Sequence, residues 1–466
     1  MSSSTKTIDA RPPNPPPLDP AFRPAVLWNH SFSREVAESG NPVPVRFALE
    51  QTDGLVLHQE TEVLPTEHPS AFLNFRFAER LLKFLLWSAG GPRVYFDGPP
   101  ELGEALSKHF EDTTTGRFDA AFIARVYEKP FEVILTSDLP AERSSAKALG
   151  RHLEGNRIGF DLGGSDRKVA AVVDGEVVFS EETSWNPYHQ EDPNYHRKGI
   201  AESLRKAADH LPKVEAIGGS SAGVYVDNQP RVASLFRGVS DELFDSAVKP
   251  MFRSFGKEWG VPLEVINDGD VTALAGSMSL GQNAILGLAM GTSEATGYVN
   301  AEGKVSGWLN ELAFAPIDYA EQAPVDEWSG DRGCGAQYFS QQAVGRLLPP
   351  AGIDLPDDLS LPEKLVETQN LMARADPRAR KVYETIGVYL GYGVAHYADF
   401  YDLRNLLLLG RVTSGEGGQI ILEQAKKVLK VEFPALAEKI AFHVPDEKDK
   451  RHGQAIAAAS LPSIHR

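Results

Sequence analysis

The chain has 466 residues, of which 42% are hydrophobic and 24% are charged, enough for two to four globular domains. Acidic residues outnumber basic ones by 64 to 47, and the resulting net charge of −17 argues against a broad nucleic-acid-binding surface. Cys334 is the only cysteine, which excludes an intrachain disulfide and fits a cytoplasmic location. Neither the apolar core of a signal peptide nor a membrane-spanning run is found, so we expect no membrane partner.

Residues 1–40 begin with a proline-rich stretch, and we predict a flexible tail there. Residues 41–150 predict an accessory α/β domain without a recognisable catalytic motif or helix-turn-helix. Its predicted strands lie in VPVRFALEQ, GLVLHQETEVL, PRVYFDG and FEVILTSDL. Its predicted helices lie in residues 70–88, PELGEALSKHF and FDAAFIARVY.

A new pattern starts at RIGFDLGGSDRKVAAVV, which predicts two strands joined by a tight turn. The turn contains Asp161, Gly163, Gly164 and Ser165. Glycines allow backbone N–H groups to approach phosphate oxygens, and an aspartate at a strand end can orient hydrated magnesium. The segment therefore indicates a phosphate-binding turn, with an ordinary hairpin turn and an incidental aspartate as the alternative.

The strand VPLEVI leads to Asn267 and Asp268 at the start of a predicted helix. A carboxylate at such a corner can accept a proton from a substrate hydroxyl, although aspartates at helix starts are also common caps. Further along, LGLAMGTSEATGYV places Gly291 and Thr292 between two strands, which fits a second phosphate clamp or a plain turn.

The segment NLLLLGRVTSGEGG is an apolar strand followed by a small-residue loop. Such a loop can pack against a nucleotide base and ribose, but units of this kind occur in every parallel α/β protein. The loop SWNPYHQEDPNYHRKG holds Trp185, Tyr188 and His196, which fit either a cleft border or an ordinary surface loop. Signatures of P-loop ATPases, Rossmann dehydrogenases, common zinc peptidases and α/β-hydrolases are absent from the sequence.

Four of these motifs occur in the order DLGGS, INDGD, MGTS and LLLLGRVTSGEGG. This order resembles the ATPase core of sugar kinases and actin-like proteins, and most closely the ROK family of sugar kinases and repressors. The resemblance extends over about 310 residues, to the final PDEKDKRHGQAIAAAS. It implies a two-lobed, actin-like ATPase (ribonuclease H-like) fold after the N-terminal α/β domain. The small lobe would span residues 155–275, completed by about 445–466, and the large lobe residues 276–445.

The resemblance also implies ATP- and magnesium-dependent phosphorylation of a sugar hydroxyl. Asp268 would be the general base, Asp161 would position magnesium through water, and Asn267 and Glu311 would contact the sugar. The residues that would hold the phosphates and the nucleotide are Gly163, Gly164, Ser165, Gly291, Thr292, Gly410 and Gly417. The implied partners are a small-molecule sugar, a nucleotide and a second copy of the chain in a homodimer. Nucleic acid is not among them.

The chain departs from the family at its zinc motif. Phe314 stands where the family has a histidine, and Glu327 and Ser329 stand at two of three cysteine positions, which leaves Cys334 alone. One thiol without a histidine cannot complete a four-coordinate site, so we expect no structural zinc.

Two departures affect the substrate side. Ala336 stands where the family has a sugar-contacting glutamate, and Glu294 enters a loop that the family fills largely with glycine. A carboxylate in that loop repels phosphate unless it points away or meets a cation. The alternatives to a kinase for an unusual sugar are therefore a non-catalytic sugar-binding sensor and an ATPase-fold scaffold for interactions.

Overall fold

The computed structural model describes residues 8–143, 149–444 and 447–464, with only the backbone of residues 447–452. Residues 1–7 of the predicted tail, 144–148 of the accessory region, and 445, 446, 465 and 466 of the C-terminal stretch lie outside the described residues. Within the described part of the chain, no helix is long and apolar enough to cross a membrane.

The N-terminal region forms one four-stranded sheet with helices around it. Its elements are α1 (Ala25–Glu38), β1 (Val43–Glu50), β2 (Val56–Val63), α2 (Leu73–Ser88), β3 (Arg93–Asp97), α3 (Pro100–Asp112), α4 (Thr114–Tyr127) and β4 (Glu132–Leu135). The strand order is β2-β1-β3-β4. Val45, Phe47 and Leu49 alternate along β1 and are all buried, as expected for one covered face of a strand. The four strands and three helices predicted between residues 43 and 135 are confirmed.

The prediction of a flexible tail over residues 1–40 is wrong for its described part. Phe22 is buried and packs against the rings of Tyr389 and Tyr338, with centroid distances of 4.8 and 5.8 Å. Asn14 Nδ2 donates a hydrogen bond of 2.6 Å to the Glu432 carboxylate, and α1 follows. Proline-rich composition disfavours regular structure but does not prevent packing against a surface formed elsewhere.

The first half of the predicted ATPase core is a five-stranded sheet with the order β11-β8-β5-β6-β7. Its elements are β5 (Asn156–Leu162), β6 (Asp166–Val173), β7 (Glu176–Ser184), α5 (Pro193–Ala208), β8 (Ala216–Ser221), β9 (Val224–Val226), β10 (Gln229–Val232), α6 (Asp241–Leu243), α7 (Met251–Trp259), β11 (Leu263–Asn267) and α8 (Asp268–Leu280). Because β5, β8 and β11 are parallel, their carboxyl ends meet at one edge, where ligands bind in open α/β sheets.

The second half contains a four-stranded sheet with the order β13-β12-β14-β15. Its elements are β12 (Ile285–Met290), β13 (Glu294–Val299), α9 (Gln341–Leu347), α10 (Leu361–Ala373), α11 (Pro377–Tyr397), β14 (Asn405–Leu409), α12 (Glu416–Glu432), α13 (Pro434–Lys439) and β15 (Ala441–His443). The last helix, α14 (Glu447–Ala459), returns to the first sheet. The carbonyls of Ala455 and Ala458 lie so close to Gly159 and Gly218 that a Cβ at either glycine would collide with them.

The N-terminal region is built onto the second half of the core. One hydrophobic cluster contains buried side chains from both, and the ring of Trp87 lies 4.4 Å from that of Phe314. The end of α2 also pairs with the chain before Phe314, because Glu311 N donates to Trp87 O at 2.9 Å. The first half of the core has its own separate cluster.

A polar contact links the N-terminal region to the first half of the core as well. Glu128 follows α4 and forms ion pairs with Arg231 on β10 and with Lys249, whose Nζ lies 2.7 Å from Glu128 Oε1. The N-terminal region therefore contacts both halves of the predicted ATPase core.

Candidate active site

Asp161 lies near the carboxyl end of β5 and is buried. Ser220 Oγ donates a hydrogen bond of 2.7 Å to its Oδ1, and Lys168 Nζ lies 3.8 Å from its Oδ2. Burial raises the pKa of Asp161, while the Ser220 hydroxyl and the Lys168 ammonium oppose that shift. The carboxylate is thus held in one orientation at the edge where the parallel strands end.

Asp268 is the first residue of α8, directly after β11. The preceding Asn267 caps the helix: its Oδ1 accepts from Gly269 N at 2.6 Å, and its Nδ2 donates to Gly223 O at 2.8 Å. Desolvation raises the pKa of Asp268 to about 6, and the negative charge of Asp161 adds to the shift. The carboxylates of the two aspartates therefore lie close enough to interact electrostatically.

Gly163, Gly164 and Ser165 form the turn between β5 and β6, as predicted, with Gly163 N donating to Asp166 O at 2.9 Å. Ser165 is exposed, and its hydroxyl donates to Asp166 Oδ2 at 2.8 Å. This geometry is that of a hairpin turn, and its residues lie next to Asp161 on the same edge of the sheet.

The aromatic loop after β7 borders this turn. Trp185 Nε1 donates to Gly163 O at 2.7 Å, and the hydroxyl of Tyr188 lies where a Cβ on Gly164 would be. The guanidinium of Arg237 lies 4.2 Å from the Tyr188 ring centroid. His196 is buried and bonds to backbone carbonyls, which makes it a structural residue. A cationic side chain close to the turn was not apparent from the sequence.

The second predicted clamp lies at the carboxyl ends of β12 and β14. Thr292 is exposed, and Gly291 O accepts from Gln341 N at 2.8 Å. Gly410 has a φ of 93°, and a Cβ there would collide with Met290 O, so these two loops touch. Gly417 lies in the first turn of α12 against the Tyr383 ring. The structure brings together the two loops that the sequence had indicated separately.

Glu294 does not point into the clamp. It is the first residue of β13, its side chain is 4% exposed, and Tyr397 Oη donates to its Oε1 at 3.3 Å. A Cβ on Gly335 would collide with its Oε2, which places the carboxylate beside the residue preceding Ala336. The Glu294 carboxylate is therefore buried beside Tyr397 and Gly335, an orientation in which it would not repel a phosphate at the predicted clamp.

Glu311 lies just before the short 3₁₀ turn Leu312–Phe314, with its backbone N–H bonded to the end of α2. Burial, followed by the charges of Asp268 and Asp270, raises the pKa of Glu311 to about 7. The predicted sugar-contacting glutamate therefore does lie within electrostatic reach of the predicted base.

The residues at the family's zinc positions do not form a donor set for zinc. Phe314 packs among aromatic rings, Glu327 is exposed, and Ser329 Oγ donates to Asp326 Oδ2 at 2.7 Å. Cys334 is buried, with its Sγ 4.0 Å from Ser329 Oγ. In the described part of the chain, no group of three or more His, Cys, Asp or Glu residues could hold a metal ion.

A buried ion-pair cluster occupies this neighbourhood. Lys83 of α2 is fully buried, with Nζ 2.8 Å from Asp119 Oδ2 and 3.0 Å from Asp331 Oδ2. Arg80 Nη1 also lies 3.0 Å from Asp331 Oδ2. The N-terminal region thus supplies two cations to the loop that carries Ser329 and Cys334.

Comparison with solved structures decides the fold. The ROK hexokinase from Thermus thermophilus superposes with a TM-score of 0.51 at 19% identity, over 65% of this chain and 96% of that one. About two thirds of this chain has the ROK fold. A ROK family transcriptional regulator, a homolog of the Escherichia coli MLC protein, has the same TM-score and identity over 66% of this chain and 79% of its own.

Neither a protein-family model nor a curated protein matches the chain. The predicted two-lobed, actin-like ATPase fold is confirmed, because the ROK fold extends over nearly the whole hexokinase. Two contributions of the N-terminal region to this fold were not predicted from the sequence: the backbone pairing that holds Glu311, and the cations Lys83 and Arg80. No motif marks these contacts, because they join segments about 220 to 250 residues apart in the sequence.

Proposed function

We propose that this protein transfers the γ-phosphoryl group of ATP to a hydroxyl of a sugar or sugar-like polyol. The observation that carries the proposal is the pair Asp161 and Asp268 at the carboxyl ends of two parallel strands, with the pKa of Asp268 raised to about 6 by desolvation and by Asp161. A carboxylate with such a pKa is ionised at neutral pH and basic enough to take a hydroxyl proton.

The residues at the nucleotide side fit ATP with magnesium. Magnesium is commonly held by one or two carboxylates together with substrate phosphates, so Asp161 suffices without a metal-binding cluster. The bound ion would supply charge neutralisation on the phosphates. The loops at Gly291 and Gly410 touch each other, and their glycines would let the backbone approach the proposed nucleotide closely. Gly417 lies at the start of α12.

In the proposed reaction, Asp268 Oδ2 or Oδ1 removes the proton from the attacking hydroxyl. Asn267 fixes the start of α8 through its two hydrogen bonds and so orients Asp268 rather than reacting itself. Glu311 binds another hydroxyl of the acceptor. Phosphoryl transfer requires mainly alignment and charge neutralisation, and these residues provide the alignment of the acceptor.

The experiment is phosphate transfer from ATP and magnesium across hexoses, amino sugars and sugar alcohols, with basal ATP hydrolysis as control. With the best acceptor, Asp268→Asn is expected to lower kcat about 100- to 10,000-fold, because the proton has no acceptor, while the dissociation constant of the sugar changes only a few-fold. Asp209→Asn, the same change at an exposed position after α5, is expected to retain wild-type kcat.

Turnover by Asp268→Asn at the wild-type rate would show that another group is the base. The competing function is a non-catalytic sugar-binding sensor. It is considered because the fold also occurs in a transcriptional regulator. Sugar binding without phosphate transfer to any acceptor in the panel would favour the sensor.

A further inference from the structure

A cavity of about 130 Å³ lies where the N-terminal region meets both halves of the ROK fold. The N-terminal region lines it with the turn after β1 and the end of α4, the first half with the β9–β10 turn and β11, and the second half with residues 305–309. Buried and exposed side chains both line the cavity, so it runs from the surface into the molecule. Its lining includes Thr52, Tyr127, Tyr225, Asn267, Asp270 and Trp308.

The inner end of the cavity adjoins the proposed base. Asn267 and Asp270 line the cavity, and they stand on either side of Asp268 at the start of α8. The hydroxyl of Tyr225, another lining residue, donates to Ser221 Oγ at 2.6 Å. Desolvation and, to a smaller extent, the charge of Asp268 raise the pKa of Tyr225, while the hydrogen bond to Ser221 opposes the rise. A molecule whose hydroxyl faces Asp268 therefore has room to extend into the cavity.

Specific hydrogen bonds hold the walls of the cavity in place. Gln51, directly after β1, donates from Nε2 to Ala89 O at 2.5 Å and to Gly307 O at 3.2 Å. These two bonds fasten the N-terminal wall to the second half. In the first half, Asn228 Oδ1 accepts from Val265 N at 2.7 Å, which fixes the β9–β10 turn against β11. The cavity is therefore preformed, as small-molecule sites usually are.

The charges of the lining favour an uncharged ligand. Among the described residues that line the cavity, none is Lys, Arg or His, so a phosphate or carboxylate group would find no cation there. Asp53, Asp227 and Glu264 also line it, but all three are at least partly exposed to solvent. Deeper inside, desolvation raises the pKa of Asp270 to about 7, so its carboxyl is close to half protonated at neutral pH. The buried part of the cavity thus carries little fixed charge.

Aromatic rings and an amide in the lining suit a hydroxylated ring. Tyr127, Tyr225 and Trp308 present surfaces that are apolar on their faces and polar at one end, and Asn267 adds an amide. Such a lining packs against the C–H groups of a sugar and exchanges hydrogen bonds with its hydroxyls. Cavities of about 150 Å³ hold a benzene molecule, so the volume matches one six-membered ring.

We propose that this cavity is a second subsite for the acceptor, which holds one uncharged, hydroxylated ring joined to the sugar whose hydroxyl faces Asp268. The substrate class is then a neutral disaccharide rather than a free monosaccharide. This inference rests on the proposed kinase function. It assigns the N-terminal region a part in substrate selection, because that region supplies one wall of the subsite.

The first test compares neutral disaccharides with their constituent sugars. Calorimetry at pH 7 measures binding of maltose, cellobiose, lactose, melibiose, sucrose and trehalose against glucose, galactose and fructose. At least one disaccharide is expected to bind at least about tenfold more tightly than each of its constituents, because its second ring is buried in the cavity. The same preference is expected in kcat/KM for phosphate transfer from ATP.

A variant at the mouth of the cavity tests where the second ring binds. Thr52 is exposed and lines the cavity, so Thr52→Trp places an indole in its path. This change is expected to lower kcat/KM for the preferred disaccharide at least about tenfold relative to kcat/KM for its monosaccharide. Thr66→Trp, the same change in the exposed turn after β2, should keep the ratio of the unmodified protein.

Trp308 provides a readout that does not depend on catalysis. Binding of the preferred disaccharide should change the tryptophan fluorescence of the unmodified protein, and Trp308→Phe should remove that change. Trp328→Phe, at a position that is 71% exposed and does not line the cavity, should retain it. A fluorescence change that persists in Trp308→Phe would place the second ring elsewhere and overturn the subsite. The disaccharide preference itself is measured on the unmodified protein and does not require any variant to fold.

The outcomes separate the subsite from the kinase. Equal kcat/KM for disaccharides and monosaccharides would overturn the subsite and leave the kinase standing. A disaccharide preference that Thr52→Trp does not weaken would overturn the subsite too. Disaccharide binding that Thr52→Trp weakens, without phosphate transfer to any acceptor, would support the cavity as a sugar site and overturn the kinase. Absence of binding by every disaccharide would overturn the subsite.

Discussion

Glu294 is held in an environment that favours its protonated form. Its pKa rises from 4.5 to about 8 on folding, mainly because its carboxylate is desolvated. Between these values the folded chain binds a proton that the unfolded chain does not. The contribution of Glu294 to stability therefore falls as the pH rises from about 4.5 to about 8, and the full penalty of the buried charge is present above that range.

We predict that Glu294→Gln raises the Tm of the ligand-free protein at pH 9 by at least about 2 °C relative to its effect at pH 5.5, because glutamine carries no charge to desolvate. Thermal unfolding followed by circular dichroism at the two pH values measures this difference. Glu302→Gln serves as the exposed control and should show no such dependence on pH. A destabilisation by Glu294→Gln that is equal at both pH values would contradict the buried, raised-pKa carboxylate.

Single residues at strand ends were the part of the candidate site that the sequence could predict. Asp161 lies near the end of one recognisable strand and Asp268 directly follows another, and the carboxyl ends of parallel strands meet at one edge, so their approach follows from the order of the elements. The direction of the Glu294 side chain could not be predicted. It depends on Gly335 and Tyr397, which lie 41 and 103 residues further along the chain.

Helix α2 carries Lys83 and Arg80, the two cations of the buried ion-pair cluster that lies near the family's zinc positions. Lys83 and Arg80 lie one turn apart on this helix and reach Asp331, while Lys83 also binds both oxygens of Asp119 at 2.9 and 2.8 Å. A fully buried lysine is stable as an ammonium only because carboxylates surround it. The helix thus fixes the loop with Ser329 and Cys334 through ion pairs.

Breaking this cluster should destabilise the chain. We predict that Lys83→Met lowers the free energy of unfolding by about 3 kcal/mol, because Asp119 is left buried without its cation. Urea unfolding measures the loss. Lys108→Met, on the exposed face of α3, should change it by less than about 0.5 kcal/mol.

Adding Asp119→Leu to Lys83→Met should recover part of the lost stability, since both charges are then removed. An unchanged free energy of unfolding in the single variant would show that the ion pair makes no net contribution to stability.

At the level of elements, the sequence predicted helix α2 but not its partners, since helical periodicity indicates which face is buried and not what covers it.

The N-terminal region contacts both halves of the ROK fold, and these contacts bear on closure of the cleft between the halves. The N-terminal region shares a hydrophobic core with the second half of the ROK fold and contacts the first half through Glu128, Arg231 and Lys249. The proposed kinase function would require the two halves to close around the substrates and exclude water. The ion pairs at Glu128 therefore favour the arrangement in which the two halves are close.

We predict that Glu128→Gln increases the radius of gyration of the ligand-free protein in small-angle X-ray scattering, because the link to the first half is weakened. With saturating sugar and a non-hydrolysable nucleotide the difference should disappear. Glu132→Gln, at an exposed position on β4, is the control and should match the unmodified protein. Identical scattering of Glu128→Gln and the control without ligands would rule out this role for Glu128.

The packing of residues 8–24 on segments distant in the sequence has a consequence for synthesis. Phe22 and Asn14 are synthesised more than 360 residues before their partners Tyr389 and Glu432. The packing of this segment therefore cannot be completed until those partners have been made, and Phe22 lacks its aromatic partners during that time. The nascent chain is therefore expected to depend on chaperones that shield its N-terminal region until release.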